Sequence, residues 1–397
     1  MHEAANAKTQ RNGFALLHLC SIALAQTRPD KPFIESIDLS NLLCFAKKNG
    51  LEAMAYRGLQ EAIRRGTEVD AELASKWELA FYSAVRLGML QDHERTALIS
   101  QMNEAGIEFA LIKGGAIKSY YPHPEDRQMC DFDFWYSWSR ESSRKLRGLM
   151  EGNGYSTVAD DGWIHDTYSK PPYFTVEPHH ALFMIPEWVD HFASVRDKMT
   201  PVEGAKSQLE LSFSDLYVTN VAHAIKHLVQ GGVGLRSLID IYVLRFLNSP
   251  LGDWDYVDKE LTQLGIDKIE KLLASVARKM MTNNPKRCPP ALNTQETELL
   301  SALFQSGCYG SSEERGRLAR MYYPTLEGEK APSRIQYLKK RINPGKPTIE
   351  AMFPIVSEKP WLYPLCVVRR LLRGPKKASA VTSEIKGMFA HSSNNFK

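Results

Sequence analysis

The chain has 397 residues, of which 43% are hydrophobic and 24% are charged, which favours a soluble globular protein with a large buried core. The formal net charge of +4 is mild, so charge alone does not indicate a nucleic-acid-binding protein. Six cysteines lack any C-x-x-C spacing, which argues against a zinc knuckle or a disulfide scaffold and favours a reducing cytoplasm.

The N-terminal segment allows two interpretations. Lys8 and Arg11 precede an apolar run, Phe14 to Ala25, whose last residues a signal peptidase could accept. His18 interrupts the run and its leucines recur at helical spacing, so a first amphipathic helix is favoured. No other stretch reaches the roughly 18 apolar residues of a membrane span, and we expect a cytoplasmic protein.

Helical periodicity covers most of the chain on both sides of a central region. The predicted helices cover residues 10–105, 139–152, 209–247, 253–281 and 294–305. The central region instead contains short apolar segments, which predict strands.

The first predicted strand leads into two glycines. Ile107 to Ile112 is a short apolar strand that enters a turn at Gly114 and Gly115. Ala116 to Tyr121 then continues as a helix, which Pro122 stops. We therefore expect the glycines to lie between a strand and a helix.

The second predicted strand carries two carboxylates. Side chains alternate along a strand, so Cys130, Phe132 and Phe134 should point into a core. Asp131 and Asp133 should then point the other way together. Parallel carboxylates repel each other unless a cation lies between them, and Mg²⁺ prefers oxygen ligands of this kind.

A third alternating segment runs from Tyr173 to Met184 and places Glu177 and His179 on one face. Pro178 removes a backbone donor beside Glu177, which indicates an edge strand or a bulge. His179 is expected to pack or to orient a neighbouring carboxylate, since lone histidines do this more often than they bind metal.

These segments together resemble the nucleotidyltransferase superfamily of the DNA polymerase β type, in which a Gly-Gly or Gly-Ser turn precedes Asp-x-Asp and a third carboxylate. More narrowly, they resemble a bacterial family of uncharacterised nucleotidyltransferases. The matching motifs are Ile112-Lys113-Gly114, Tyr121-Pro122-His123-Pro124-Glu125-Asp126-Arg127, Asp131-Phe132-Asp133 and Glu177-Pro178-His179. The resemblance implies an α+β fold, with a small mixed β-sheet of the polymerase β type between helical N- and C-terminal regions.

The resemblance also implies metal-dependent transfer of a nucleotidyl group from a nucleoside triphosphate. The carboxylates that would hold Mg²⁺ or Mn²⁺ and serve catalysis are Asp131, Asp133 and Glu177. The residues that would contact phosphate are Lys113, Gly114, Gly115 and Arg127. Lys113 could instead end its strand in solvent, and Arg127 could pair with Asp126 or Asp131. If Glu177 pointed away from the site, the third acid would be Asp160, Asp161 or Asp240.

A later helix places His223 and His227 on one face. A zinc site of the H-E-x-x-H type is disfavoured, because the middle glutamate is absent and no third ligand follows. The resembled family has a similar helix, followed by a segment in which Arg236 and Asp240 are spaced to pair. These residues and Lys226 either face the nucleotide cleft or pack against a neighbouring helix.

The C-terminal part is basic, and a segment from Trp361 to Val368 joins apolar residues to following arginines. That segment either docks on the body with its basic face in solvent or lies on anionic lipid. The basic residues are Arg334, Lys339, Lys340, Arg341, Arg369, Arg370, Arg373, Lys376 and Lys377. Nucleic acid is not expected as a partner, because no nucleic-acid-binding module is present.

We divide the chain into a helical N-terminal lobe, a catalytic core, a helical C-terminal lobe and a basic extension: residues 1–105, 106–205, 206–310 and 311–397. The sequence leaves the acceptor open among small molecules, sugars, peptides and proteins. Two alternatives remain open on the same fold: glycosyl transfer from a nucleotide-sugar, and a non-catalytic nucleotide-binding regulatory protein.

Overall fold

The structure is a computed structural model. It describes residues 2–159, 166–172, 174–183, 185–230, 233–282 and 290–306, and in the C-terminal part 339, 342–343, 345–346, 349, 353 and 355–372. The fold is α+β, as the sequence predicts, with a seven-stranded mixed sheet flanked by helices.

The N-terminal region is helical. Its helices are α1 (His2–Ala25), α2 (Lys31–Glu35), α3 (Leu39–Asn49), α4 (Glu52–Arg64) and α5 (Ala71–Glu104). Asp38 and Asp70 cap α3 and α5 by accepting hydrogen bonds from backbone N–H groups of the first turn. A Cβ on Gly58 of α4 would lie 1.9 Å from the Leu19 carbonyl oxygen of α1, so glycine allows these helices to cross closely. The predicted first helix and the long helix before the sheet are confirmed.

The central region forms the sheet. Its elements are β1 (Phe109–Leu111), α6 (Lys113–Ile117), β2 (Phe132–Tyr136), α7 (Arg140–Gly152), β3 (Ser156–Ala159), β4 (Thr167–Lys170), β5 (Phe174–His179), α8 (Pro186–Asp197), β6 (Thr200–Pro201) and β7 (Gln208–Glu210). The strand order is β3-β4-β5-β2-β1-β7-β6. The pairs β2/β5 and β1/β7 are parallel, and the other neighbours are antiparallel.

Two expectations about this region are wrong. Gly114 and Gly115 lie inside α6, which begins at Lys113, and not in a turn ahead of the helix. Residues 208–210 form β7, where a helix is expected from residue 209. The strands β3, β4, β6 and β7 have two to four residues each, so their alternation is too short to be recognised in the sequence.

The two faces of the sheet differ in chemistry. Aromatic and aliphatic side chains of β1, β2, β4 and β5 pack on one face against α5 and α7. That face includes Phe109, Phe132, Phe134 and Val176. The opposite face carries Trp135 and the polar side chains that form the site described below.

The C-terminal region is again helical. Among the described residues, its helices include α9 (Phe213–Gln230), α10 (Leu235–Tyr242), α11 (Trp254–Gln263), α12 (Asp267–Met281), α13 (Thr294–Ser306), α14 (Ile355–Glu358) and α15 (Tyr363–Leu372). Helices of the N- and C-terminal regions share one hydrophobic cluster, which joins Leu16 and Leu59 to Leu273 and Leu299. The proposed lobe boundaries stay predictions. Within the part of the chain described, every helix is too short or too polar to cross a bilayer.

Candidate active site

The parallel pairing of β2 and β5 assembles an acidic cluster. Asp133 is in register with Glu177, and Trp135 with His179. Registered residues of neighbouring strands point to the same face of a sheet, so these side chains meet. The ligand atoms of Asp133, Glu177 and His179 all lie within 4.8 Å of one another.

Asp131 lies beside this cluster, in the bend that precedes β2. Burial, together with repulsion by Asp133, raises the pKa of Asp131 to about 6. Cys130 lies in the same bend and accepts a hydrogen bond from Arg236 Nη2 at 3.4 Å. The expectation that Cys130 points into the sheet core is wrong, because the strand begins only at Phe132.

The carboxylates titrate differently because their surroundings differ. Burial favours a protonated Asp133, but Lys113 and a hydrogen bond with His179 outweigh burial and hold the pKa of Asp133 well below its usual range. Burial and repulsion by Asp133 and Asp131 instead raise the pKa of Glu177 to about 7. The positive charge near the three carboxylates is therefore too small for all of them to ionise with ordinary pKa values.

Lys113 supplies a positive charge to the cluster. Its Nζ contacts Asp133 Oδ1 and lies 3.3 Å from His179 Nε2, which is itself 2.8 Å from Asp133 Oδ1. Burial opposes the charge on Lys113, but attraction by Asp133 prevails and raises the pKa of the ammonium. Lys113 also has φ of 51°, a left-handed conformation that is uncommon outside glycine, where β1 passes into α6.

The donor set fits a hard divalent cation. The carboxylate oxygens suit Mg²⁺ or Mn²⁺, and the imidazole nitrogen is a ligand that Mn²⁺ accepts more readily than Mg²⁺. The Lys113 ammonium already contacts Asp133, so an ion would share that carboxylate with the lysine. Asp133, Glu177 and His179 could hold such an ion, and Asp131 lies close enough to influence it.

Gly114 lets α6 pack closely against the segment before β2. A Cβ on Gly114 would lie 3.3 Å from Met129 Cγ and 3.4 Å from two guanidinium nitrogens of Arg127. A Cβ on Gly115 would lie no closer than 3.6 Å to its neighbours. Contact of these glycines with phosphate stays a prediction.

Arg127 is held by the C-terminal helices. Its Nε and Nη2 donate to the two carboxylate oxygens of Asp240 at 2.7 and 2.8 Å. Tyr121 donates to the same carboxylate at 2.5 Å. Pairing of Arg127 with Asp126 or Asp131 is therefore wrong, and so is pairing of Arg236 with Asp240. The contact of Arg127 with phosphate stays a prediction.

Both arginines hold the bend that carries Asp131. Arg127 Nη1 and Arg236 Nη1 donate to the Gln128 carbonyl oxygen at 2.8 and 2.7 Å. Arg57 of α4 pairs with Asp126 at 2.8 Å and so fixes the turn before them. Helices from both ends of the chain therefore position the acidic cluster.

Helix α9 faces the cluster with three basic side chains. Burial and repulsion by Lys113 lower the pKa of Lys226 to about 8, while Asp133 and Glu177 oppose that change. Burial and the nearby lysines also lower the pKa values of His223 and His227, whose rings lie 4.4 Å apart. Among the described residues, these histidines belong to no group of three metal ligands.

Sequence reasoning missed two residues of α5, Asp92 and Arg95, that contact α6 and the residue after it. Lys118 Nζ lies 2.7 Å from both carboxylate oxygens of Asp92 on α5. Arg95, one turn further along α5, donates to the Gly115 carbonyl oxygen at 3.4 Å. The sequence shows Asp92 and Arg95 only as a helical charge pair, since their partners lie on another element. The alternative acids Asp160 and Asp161 lie outside the described residues.

Comparison with known proteins agrees with this geometry. A family model described as an uncharacterised nucleotidyltransferase matches residues 35–282, which include the acidic cluster and its basic neighbours. No curated protein and no solved structure matches the chain. The matched region is more than half of the 397 residues. The chain therefore belongs to this family of uncharacterised nucleotidyltransferases and is an enzyme that transfers a nucleotidyl group from a nucleoside triphosphate.

Proposed function

We propose that the protein is a nucleotidyltransferase of the DNA polymerase β type that depends on Mg²⁺ or Mn²⁺. It moves a nucleotidyl group to a hydroxyl of a small molecule, sugar, peptide or protein. The observation that carries this proposal is the parallel register that brings Glu177 beside Asp133, with Asp131 in the bend just before the strand of Asp133.

We propose that Asp131, Asp133 and Glu177 bind a divalent ion. A bound ion of this kind neutralises polyphosphate and the oxygens that gain charge during transfer. Lys113 and Lys226 are two ammonium groups beside the same carboxylates, and their charge suits the phosphate tail. Asp240 holds Arg127, whereas Lys226 has no carboxylate partner at hydrogen-bond distance among the described residues.

The proposed reaction exchanges one phosphorus–oxygen bond for another. The acceptor oxygen forms a bond to the α-phosphorus, the bond to the bridging oxygen breaks, and pyrophosphate leaves with the electron pair. We propose that Glu177 accepts the proton of the acceptor hydroxyl, because its side chain is 21% exposed whereas that of Asp133 is 5% exposed. With an ion bound, one oxygen of Glu177 would bind the ion and the other would accept the proton.

Labelled nucleotides test this function. The protein is incubated with Mn²⁺, a candidate acceptor pool and triphosphates that carry label at the α- or the γ-phosphate. We expect the α-label in the product, release of pyrophosphate, and loss of both in chelator. Glu177→Gln should still bind triphosphate but lower kcat by roughly 10² or more.

A matched variant controls for the loss of a carboxylate. Glu141 on α7 is exposed and pairs with Lys145 in the next turn, so Glu141→Gln should keep full activity. Transfer of the γ-label would indicate phosphoryl transfer and contradict the proposal. Turnover of nucleotide-sugars without turnover of triphosphates would assign the site to glycosyl transfer instead.

A further inference from the structure

The C-terminal helix α15 presents an apolar stripe to solvent. Trp361, in the turn Pro360–Leu362, is 71% exposed, and Leu365 and Val368 of the helix are 61% and 50% exposed. Spacings of four and three residues place these side chains on one side of the helix. Leu371 adds a fourth apolar side chain that is 48% exposed.

The opposite side of α15 packs against other residues of the C-terminal region. Cys366 is 7% exposed and lies in a small cluster with Ile349, Phe353 and Val356. Arg370 Nη1 donates to the Ile342 carbonyl oxygen at 3.2 Å, and Tyr363 hydrogen-bonds to Asn343. These contacts orient the helix, so the outward stripe is a fixed feature of the surface.

The charged residues in and just before α15 have a single sign. Within residues 359–372 these are Lys359, Arg369 and Arg370, and no Asp or Glu is present. The exposed apolar residues of α5 differ, because Leu79 and Met89, 69% and 67% exposed, lie on a helix that carries both signs of charge. Apolar exposure occurs on both helices, but only α15 combines it with uniform positive charge.

We propose that α15 and the turn before it dock on an anionic lipid bilayer. Trp361 suits the interface between headgroups and acyl chains, and Leu365 and Val368 would be buried just below it. Lys359 and Arg369 would contact lipid phosphates, a contribution of electrostatic attraction that weakens with salt. The proposal does not depend on the reaction assigned to the acidic cluster.

Vesicle sedimentation with the full chain tests this docking. We expect binding to phosphatidylcholine vesicles that contain phosphatidylglycerol, little binding to phosphatidylcholine alone, and weaker binding at high salt. Leu365→Ser with Val368→Ser should lower the partition coefficient by roughly a hundredfold, about tenfold for each large apolar side chain. The matched control, Leu79→Ser with Met89→Ser on α5, removes equally exposed apolar groups and should bind as the unaltered protein does.

A charge variant separates the two contributions. Lys359→Gln with Arg369→Gln should remove the preference for anionic vesicles, and circular dichroism checks that each variant folds. If the Ser variant of α15 does not fold, Trp361→Ser in the preceding turn replaces it. Absence of vesicle binding, or equal binding to neutral and anionic vesicles, would overturn the proposal. So would a dimer in solution that Leu365→Ser dissociates while vesicles bind nothing, since a second copy would then cover the stripe.

Discussion

The contact between Lys113 and Asp133 predicts a strong energetic coupling in the metal-free enzyme. Asp133→Asn keeps the shape of the side chain and removes its charge. The Lys113 ammonium then loses its direct partner in a site where the lysine side chain is 20% exposed and the aspartate 5% exposed. Removing one partner of a buried ion pair costs about 3–5 kcal/mol.

We expect Asp133→Asn to lower the free energy of unfolding by about 3 kcal/mol, at the lower end of that range. The cost is moderated because Lys113 is partly exposed and because Asp131 and Glu177 still attract it. Lys113→Met should cost a similar amount, since it leaves the carboxylates to repel one another. The double variant should be more stable than the sum of the two losses predicts, by about 2 kcal/mol.

Urea denaturation in chelator, followed by circular dichroism, measures all four proteins of this cycle. A matched cycle at Lys170 and Glu94 serves as the control. These two side chains form an ion pair of 2.8 Å and are 34% and 17% exposed. That control should show a coupling of about 1 kcal/mol or less. Additive losses at Lys113 and Asp133 would refute the reasoning, because the lysine would then not serve as the counter-ion of the cluster.

Three further predictions follow from the same contacts. Because the pKa values of Asp131 and Glu177 are raised to about 6 and about 7, these two carboxyls keep protons in the metal-free fold that they lose in the unfolded chain. Their contribution to stability should therefore fall as pH rises from about 4 to about 7, while His223 and His227, whose pKa values are lowered, contribute in the opposite direction. Mn²⁺ binding should therefore release protons at about pH 6 and almost none at about pH 8.5, which calorimetry in buffers of different ionisation heat would show. Gly114→Ala should cost about 1 kcal/mol in thermal or urea unfolding and Gly115→Ala less, since only the first Cβ meets neighbours within 3.4 Å; equal costs would contradict this packing. Asp240→Asn should cost about 3 kcal/mol and also raise the KM for triphosphate, because its arginine partner positions the bend before β2; an unchanged KM would limit that arginine to stability.

The sequence predicted which side chains of the central strands are apolar or acidic better than it predicted their contacts with the rest of the chain. Alternation along β2 correctly separates Phe132 and Phe134 from Asp133, because that pattern is local. The parallel register of Asp133 with Glu177 is not local, and only the resemblance to known nucleotidyltransferases pointed to the third carboxylate. Their assignment as metal ligands remains a prediction.

Contacts between distant parts of the chain escaped sequence reasoning. Arg127 and Asp240 are 113 positions apart, so spacing alone favoured nearer partners for both residues. Lys118 and Asp92 are likewise distant, 26 positions apart, and their spacing does not indicate a contact. Helix α6 began earlier than expected because the left-handed Lys113 lets the chain turn directly from β1 into a helix.

The most direct test of the central claim is to locate the ion itself. Crystals grown with Mn²⁺ and a non-hydrolysable nucleoside triphosphate would show manganese by its anomalous scattering. We expect a peak about 2.1 Å from carboxylate oxygens of Asp133 and Glu177, with triphosphate oxygens on the same ion. Nucleotide bound with no peak at these carboxylates, or a peak at a different group of residues, would contradict the account.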